Sequence, residues 1–230
     1  MSNSMLPRLI VALDDTSTAE SLMMHLAPRR VCLKVSNAVL TVHGSRFVQI
    51  AHEIGASIMW DTKVHDIPHQ VGVTVAAIAE RLPEFITIHA SAGPEGLAAA
   101  VENRGASRIL AITILTSLSD TVCRRIYGAP PMDMVLRFAD LAKSAGVDGL
   151  VCSPQELSRL RDQRDFDNLV LVTPGIRLPT DQVGDQERNM TPGQAIKAGA
   201  NFIVVGRPIT AAPDPIEAMD RILEDMATGL

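Results

Sequence analysis

The chain has 230 residues, of which 47% are hydrophobic and 20% are charged, so it can bury a sizeable core and is expected to be globular. Its formal charge of -5 and pI near 5.7 argue against nucleic acid as a general partner. The first residues lack a signal-peptide layout and no apolar run is long enough to span a bilayer, which predicts a cytoplasmic protein with no membrane partner.

Short β-branched runs alternate with longer helical segments along the whole chain, which predicts a repeated strand–helix unit. Eight such units favour a (β/α)8 TIM barrel that forms a single domain over residues 1–230. A doubly wound open sheet is the alternative, and the lack of a Gly-x-Gly-x-x-Gly turn counts against it. The predicted strands are Arg8–Leu13, Val31–Val35, Ser57–Trp60, Phe85–His89, Arg108–Ile114, Gly149–Cys152, Leu169–Val172 and Phe202–Val205.

Local signals add detail at one helix start and at two connections. Ser17 or Thr16, followed by Glu20, predicts a capping box at the first helix. The connections Ser117–Asp133 and Arg177–Met190 are longer than the others, and long loops in compact domains usually serve a function. We therefore expect both connections to be functional loops.

The segment Asp61–Pro68 carries three charges within its first six residues and directly follows the apolar run Ala56–Trp60. Residues two apart in a strand face the same side, so Asp61 and Lys63 are predicted to project together, with Asp66 in the next loop or helix start. Burying such charges costs desolvation, which favours a chemical role. A solvated turn after the strand is the alternative, and the segment alone does not decide between the two.

Polar residues follow the other predicted strands as well, at the barrel end where active sites are assembled. Two lysines and two aspartates among them, together with Asp66, would form an array of alternating charge, in which opposite charges about 4 Å apart gain roughly 4 kcal/mol at an effective dielectric near 20. Such an array holds the lysines protonated and the aspartates ionised, and it needs no metal. His89 fits either a hydrogen-bonded structural role or a catalytic one. The residues at the strand ends are Asp14, Lys34, Asp61, Lys63, His89, Thr116, Ser117, Ser153, Thr173–Arg177 and Gly206–Arg207.

The last two predicted strands are followed by loops that suit a phosphate group. In barrels the loops after strands seven and eight commonly bind phosphate through backbone amides and a helix N-terminus. Here they carry Gly175-Ile176-Arg177 and Gly206-Arg207-Pro208, and the planar fork of arginine binds phosphate in a bidentate way. A structural turn with a solvated arginine is the alternative for the second loop.

These residues carry a resemblance to a known family that extends in order over nearly the whole chain. The sequence resembles the orotidine 5′-phosphate decarboxylase family in its short bacterial form. Departures from the family pattern, such as Ser36-Asn37 and His69-Gln70, leave every expected catalytic group in place. The matching segments are Val11–Asp14, Leu33–Val35, Asp61–Pro68, Leu115–Ser117, Val151–Glu156, Val172–Arg177, Gly184–Pro192 and Val205–Ile209.

The resemblance implies an enzyme that works without a cofactor. Orotidine 5′-monophosphate would lose carbon dioxide to give uridine 5′-monophosphate in pyrimidine biosynthesis. Asp14 and Lys34 would hydrogen-bond the ribose hydroxyls, and Lys34 also belongs to the expected catalytic set. Asp61 would lie against the substrate carboxylate, and Lys63 would protonate C6 of the pyrimidine.

The resemblance also implies a homodimer whose active sites are shared across the interface. Asp66 and Ile67 would reach into the partner's site, where Asp66 would join the catalytic residues. The remaining implied roles are Thr116 and Ser117 near the base, Arg177, Gln186, Gly206 and Arg207 at the phosphate, and Arg177–Met190 as a closing lid.

Two other functions are compatible with parts of this pattern. A related sugar-phosphate lyase or decarboxylase would share Asp-x-Lys-x-x-Asp and recruit Mg²⁺ to stabilise an enediolate. Its relatives usually place glycine after the second aspartate, where this chain has Ile67-Pro68. A catalytically silent barrel that binds nucleotide is the third hypothesis, and the presence of both Asp61 and Lys63 counts against it.

Overall fold

Eight parallel strands close into a barrel in a computed structural model of the protein, which describes residues 8–178 and 190–229. Each strand pairs with its neighbour in sequence, and β1 closes the barrel by pairing with β8, with Leu9 opposite Ile203. The strands are β1 Leu9–Leu13, β2 Cys32–Ser36, β3 Ser57–Val64, β4 Phe85–His89, β5 Arg108–Ile112, β6 Gly149–Val151, β7 Val170–Thr173 and β8 Phe202–Val205. The expected (β/α)8 TIM barrel is confirmed, and apart from β3 every strand begins and ends within two residues of its predicted bounds.

Helices lie between the strands and after the last one. They are α1 Ala19–Leu26, α2 Asn37–His43, α3 Arg46–Glu53, α4 Pro68–Ala79, α5 Gly93–Asn103, α6 Asp120–Tyr127, α7 Pro131–Ser144, α8 Leu157–Arg161, α9 Pro192–Lys197, α10 Arg207–Thr210 and α11 Pro215–Ala227. Short 3-10 turns occupy Ala27–Arg29, Ala90–Ala92, Pro154–Glu156 and Arg164–Phe166. In the described ranges, none of the helices is both long enough and apolar enough to cross a membrane.

The predicted capping box at the first helix is wrong. Helix α1 begins after Thr18, whose side chain makes no capping hydrogen bond. The backbone N–H and the hydroxyl of Ser17 both donate to Asp15 Oδ1, at 2.8 and 2.7 Å. Asp15 and Ser17 thus form a local turn. Short polar side chains can bond nearby backbone groups in this way instead of capping a helix.

The barrel interior is packed below its C-terminal mouth. Side chains from alternate positions of the strands fill it, and Phe85 and Phe202 meet edge to face with ring centroids 5.2 Å apart. The guanidinium of Arg108 lies 4.3 Å from the ring centroid of Phe85 and pairs with Glu84. Because the lower barrel is filled in this way, a ligand can enter the interior at the opposite end, where the strands finish.

Strand β3 is longer than predicted and contains a β-bulge. The prediction ended it at Trp60, whereas the strand continues to Val64. Trp60 pairs with Ile86 and Val64 pairs with Ile88, so β3 advances four residues while β4 advances two. Lys63 lies within the bulge and has a φ of 50°, in the left-handed region. Asp61 and Lys63 are therefore parts of an irregular strand and not of the loop that follows it.

The first of the two long connections is not a simple loop. Residues 117–133 contain helix α6, whose N-terminus is capped by the side chain of Ser119, so this connection is partly helical and not the loop that the sequence predicted. The second connection, Arg177–Met190, lies mostly outside the described residues. At its two ends, the backbone N–H of Arg177 donates to the carbonyl of Met190 at 3.1 Å.

Candidate active site

A cavity of about 280 Å³ opens at the C-terminal mouth of the barrel. One side of its wall carries aspartates and lysines, the other side carries two arginines, and apolar side chains complete the lining. The lining residues are Ala12, Asp14, Lys34, Met59, Asp61, Lys63, Ile112, Val151, Pro174, Gly175, Arg177, Val204, Gly206 and Arg207. Eight expected site residues thus come together in one cavity: Asp14, Lys34, Asp61, Lys63, Arg177, Gly206 and Arg207, with Gly175 from the predicted phosphate loop.

Four charged side chains form a continuous array on, or directly after, the neighbouring strands β1, β2 and β3. Oδ2 of Asp61 contacts Lys63 Nζ at 2.6 Å and Lys34 Nζ at 3.2 Å. Lys34 Nζ also donates to Asp14 Oδ1 at 2.6 Å. The side chains of Asp61 and Lys34 are only 5% and 11% exposed, so the contact between these two residues is shielded from water, whereas Asp14 and Lys63 lie closer to the solvent. The sequence of charges, from Asp14 to Lys63, alternates in sign.

Burial and charge act in opposite directions on this array. Burial raises the pKa of the Asp61 carboxyl, but the ammonium groups of Lys34 and Lys63 outweigh burial and bring this pKa below its ordinary value. Burial lowers the pKa of Lys34, but the carboxylates of Asp61 and Asp14 outweigh it and bring this pKa above its ordinary value. Both shifts favour the charged form, so Asp61 and Lys34 are ionised together at neutral pH.

Thr87 is a residue of this site that the sequence analysis missed. It lies on β4, is fully buried, and donates from its hydroxyl to Asp61 Oδ1 at 3.0 Å. The hydroxyl oxygen of Thr87 in turn accepts the backbone N–H of Lys63 at 2.9 Å. One sequence signal pointed to it: Thr87 is two residues before His89 in an otherwise apolar strand, which places it on the interior face.

Two histidines lie beside the array. The rings of His65 and His89 have centroids 5.4 Å apart, and Nε2 of His65 lies 3.3 Å from the hydroxyl oxygen of Ser91. Burial lowers the pKa of His89, and the neighbouring His65 and the ammonium group of Lys63 lower it further. His89 is therefore neutral at neutral pH. It does not line the cavity.

The opposite side of the cavity is built from the loops after β7 and β8. Gly175 adopts a φ of 80°, a conformation that glycine reaches without strain, and it turns the chain so that Arg177 faces the cavity. Nη1 of Arg177 donates to the carbonyl of Ile176 at 2.9 Å. Gly206 and Arg207 follow β8, where Arg207 begins the short helix α10. Two guanidinium groups thus approach one end of the cavity, an arrangement suited to an anion.

Other expected site residues lie elsewhere. Asp66 and Ile67 follow β3 on the surface; Ile67 is 64% exposed, and Asp66 Oδ1 accepts the backbone N–H of Ile67 at 2.7 Å. Thr116 is half-buried and Ser117 is exposed, and neither lines the cavity. Gln186 lies outside the described residues.

Comparisons with known proteins indicate the family of the chain. The model of the family described as "Orotidine 5'-phosphate decarboxylase / HUMPS family" matches residues 7–222. A Coxiella burnetii protein named orotidine 5′-phosphate decarboxylase is 41% identical over 232 residues, covering 96% of this chain and 98% of its own. One of the same name from Heliobacterium modesticaldum is 42% identical over 239 residues, covering 97% of each chain.

A solved structure of a protein with the same name is also similar to this chain in its fold. The crystal structure of orotidine 5′-phosphate decarboxylase from Lactobacillus acidophilus superposes with a TM-score of 0.83 at 33% identity, covering 95% of this chain and 98% of its own. The family match, the two relatives and this structure each extend over nearly the whole chain. The chain belongs to the orotidine 5′-phosphate decarboxylase / HUMPS family.

Proposed function

We propose that this protein decarboxylates orotidine 5′-monophosphate to uridine 5′-monophosphate in pyrimidine biosynthesis, without a metal or a cofactor. The observation that carries the proposal is the contact of Lys63 Nζ with the buried carboxylate of Asp61, 2.6 Å away, at the edge of a cavity that also presents two arginines. The relatives named orotidine 5′-phosphate decarboxylase support this substrate.

Breaking the bond between C6 and the carboxylate releases carbon dioxide and leaves an electron pair on C6. No carbonyl of the ring delocalises that pair readily, so the protein must stabilise it with fixed charge. The ammonium group of Lys63 is placed to attract the developing charge and then to donate a proton to C6. Asp61 holds that ammonium, and Lys34 in turn holds the carboxylate of Asp61. The array is therefore oriented before the substrate binds.

The substrate would lie across the cavity with its phosphate at the arginines. Arg177, Gly206 and Arg207 would bind the phosphate, and Gln186 would join them from the lid. Asp14 and Lys34 would bind the ribose hydroxyls, midway between the arginines and Lys63. Thr116 and Ser117 would approach the base from the loop after β5. Binding energy from the phosphate, far from C6, would help to close the lid Arg177–Met190 over the charge array.

The experiment that tests the function is the change in absorbance when the purified, EDTA-treated protein is mixed with orotidine 5′-monophosphate. Lys63→Ala is measured in parallel, with Lys143→Ala as the matched control, because Lys143 pairs with Asp165 on the surface at 3.1 Å. We expect turnover by the wild type and by Lys143→Ala, and a loss of at least about 1,000-fold in Lys63→Ala, since it removes both the fixed charge and the proton donor.

Other results of this experiment would support the alternative functions. Turnover that requires added Mg²⁺ on a sugar phosphate, with none on orotidine 5′-monophosphate, would support the metal-dependent lyase. Tight binding of uridine 5′-monophosphate with no turnover would support a nucleotide-binding barrel.

We also propose that the active unit is a homodimer with shared sites. Its support is the position of Asp66 and Ile67, which are exposed on one protomer and lie outside its cavity. Val73 on α4 is a second exposed apolar side chain, with 53% of its surface accessible. Mixing the Lys63→Ala and Asp66→Ala proteins under subunit exchange tests this directly. Shared sites would restore about a quarter of the wild-type rate, because half of the dimers are mixed and each has one intact site. No restoration would place Asp66 in the site of its own protomer.

A cytoplasmic location is part of the same proposal. Cys32, Cys123 and Cys152 are all free thiols buried in the core, as is usual for a protein that folds in a reducing compartment. Detection of the protein in the cytoplasmic fraction of its host cells would test this.

A further inference from the structure

Thr87 lies beneath the charge array, opposite the bulge where β3 has two residues more than β4. Its hydroxyl has one proton to donate, and two acceptors lie within reach: Asp61 Oδ1 at 3.0 Å and the carbonyl oxygen of Trp60 at 3.5 Å. The shorter contact is to the charged group, where a hydrogen bond is stronger. The same hydroxyl oxygen accepts the backbone N–H of Lys63 at 2.9 Å. One buried side chain thus contacts both residues of the reacting pair.

The two oxygens of Asp61 are divided between these partners. Oδ1 is held by Thr87, whereas Oδ2 receives both ammonium groups, from Lys63 and from Lys34. A carboxylate that turns partway about its last torsion would carry Oδ2 away from the two ammonium groups that it contacts. The hydrogen bond from Thr87 to Oδ1 restrains this rotation, so Oδ2 stays in contact with Lys63 and Lys34.

The backbone of Lys63 also depends on Thr87. Lys63 has a φ of 50°, and an L-residue adopts the left-handed region only when its surroundings stabilise it. Its N–H lies in the bulge, where the regular ladder between β3 and β4 is interrupted. The Thr87 hydroxyl takes the place of the missing ladder acceptor and fixes the point from which the lysine side chain extends.

We infer that Thr87 is a positioning residue of the reaction, which holds Asp61 Oδ2 and the Lys63 ammonium in their productive arrangement without touching the substrate. The inference rests on the proposed decarboxylation. Thr87 does not line the cavity and is 0% exposed, so it acts through its two partners. Its effect should therefore be on the chemical step and not on nucleotide affinity.

The test compares Thr87→Val, which keeps the shape and loses the hydroxyl, with Thr87→Ser, which keeps the hydroxyl. Thr113→Val is the matched control, because Thr113 is also a buried threonine, but its hydroxyl donates to the carbonyl of Val151 at 3.1 Å. We expect Thr87→Val to lower kcat by about 10- to 100-fold, the range for loss of one hydrogen bond to a charged group. KM and the Kd of uridine 5′-monophosphate should change by less than about 3-fold, because the phosphate and ribose contacts remain.

Two further results complete the test. Thr87→Ser should recover most of kcat, and Thr113→Val should leave it near the wild-type value. Amide hydrogen exchange of Lys63, followed by NMR, should be faster in Thr87→Val than in the wild type and unchanged in Thr113→Val. This last measurement needs no substrate.

The inference would be overturned by a kcat of Thr87→Val within about 2-fold of the wild type, or by an equal loss in Thr113→Val. If the wild type does not turn over orotidine 5′-monophosphate, the proposed function fails. In that case the exchange of Lys63 decides the positioning role separately, and equal exchange in wild type and Thr87→Val would overturn it.

Discussion

Replacing Asp61 by asparagine keeps the size of the side chain and removes the one charge that both lysines of the array share. In the wild type Oδ2 lies 2.6 Å from Lys63 Nζ and 3.2 Å from Lys34 Nζ, and the Asp61 side chain is 5% exposed. At these distances each contact gains roughly 5–6 kcal/mol at an effective dielectric near 20, and desolvation of the three groups offsets part of that gain. Removing one partner of a buried pair costs about 3–5 kcal/mol, so we expect Asp61→Asn to lower the free energy of unfolding by that amount.

Thermal and urea unfolding measure this loss, which corresponds to a decrease in Tm of roughly 10 °C for a chain of this size. Glu84→Gln is the matched control, because it breaks the pair with Arg108 at the other end of the barrel, where the two side chains are 30% and 31% exposed. That pair is screened by water, so its loss should cost about 1 kcal/mol or less.

The pH dependence gives a second check on the same variant. The pKa of Asp61 is lowered in the folded protein, so its contribution to stability is complete above the unfolded value of about 3.9 and is lost as the pH falls through the folded value. The difference between wild type and Asp61→Asn should thus be constant near neutral pH and disappear in acid. An unchanged Tm, or a difference that persists unaltered in acid, would refute the reasoning that Asp61 holds the two ammonium groups together.

Three further predictions concern other groups. Arg207→Ala should raise KM for orotidine 5′-monophosphate by about 10- to 100-fold, the value of one charged hydrogen bond, and equal affinity for uridine 5′-monophosphate in titration calorimetry would contradict it. Burial raises the pKa of Cys32 to about 12 and that of Cys152 well above its usual value, so the native protein should not react with a thiol reagent until it is unfolded. The pKa of His89 is lowered in the folded state, so its contribution to stability is complete above about pH 6.5 and is lost as the pH falls through the folded value. His89→Gln should flatten this part of the curve of stability against pH, and an identical curve would contradict the prediction.

The barrel and most of the charge array could be predicted from the sequence because both depend on short-range periodicity. Alternating β-branched runs set the eight strands, and the residue after each run is necessarily at the mouth when all strands are parallel. For the same reason Asp14, Lys34 and Arg207 were placed correctly without knowledge of their contacts. Residues at spacing two in β3 likewise had to share a face, and Asp61 and Lys63 do so.

The parts that could not be predicted depend on pairing between strands. A bulge is visible only when the register of β3 against β4 is known, and no residue of Ser57–Trp60 marks it. Thr87 gains its role from that register, because an unbulged β3 would present a different residue to its hydroxyl. Helix α6 was missed because Ser119 provides a helix start only two residues after the expected loop begins, a local signal that was outweighed by the length of the connection.

The order of the strands indicates how a nucleotide would lie in the site under the proposed function. Strands β7, β8, β1, β2 and β3 are consecutive neighbours around the barrel, since β8 pairs with β1. The arginines follow β7 and β8, Asp14 directly follows β1, Lys34 is on β2, and the Asp61–Lys63 pair is on β3. An elongated ligand with an anion at one end would therefore meet, in order, the guanidinium groups, the Asp14–Lys34 pair and Lys63. Phosphate, ribose and pyrimidine follow one another in the same order in orotidine 5′-monophosphate, so under the proposed function the closed barrel would specify the direction in which the substrate binds.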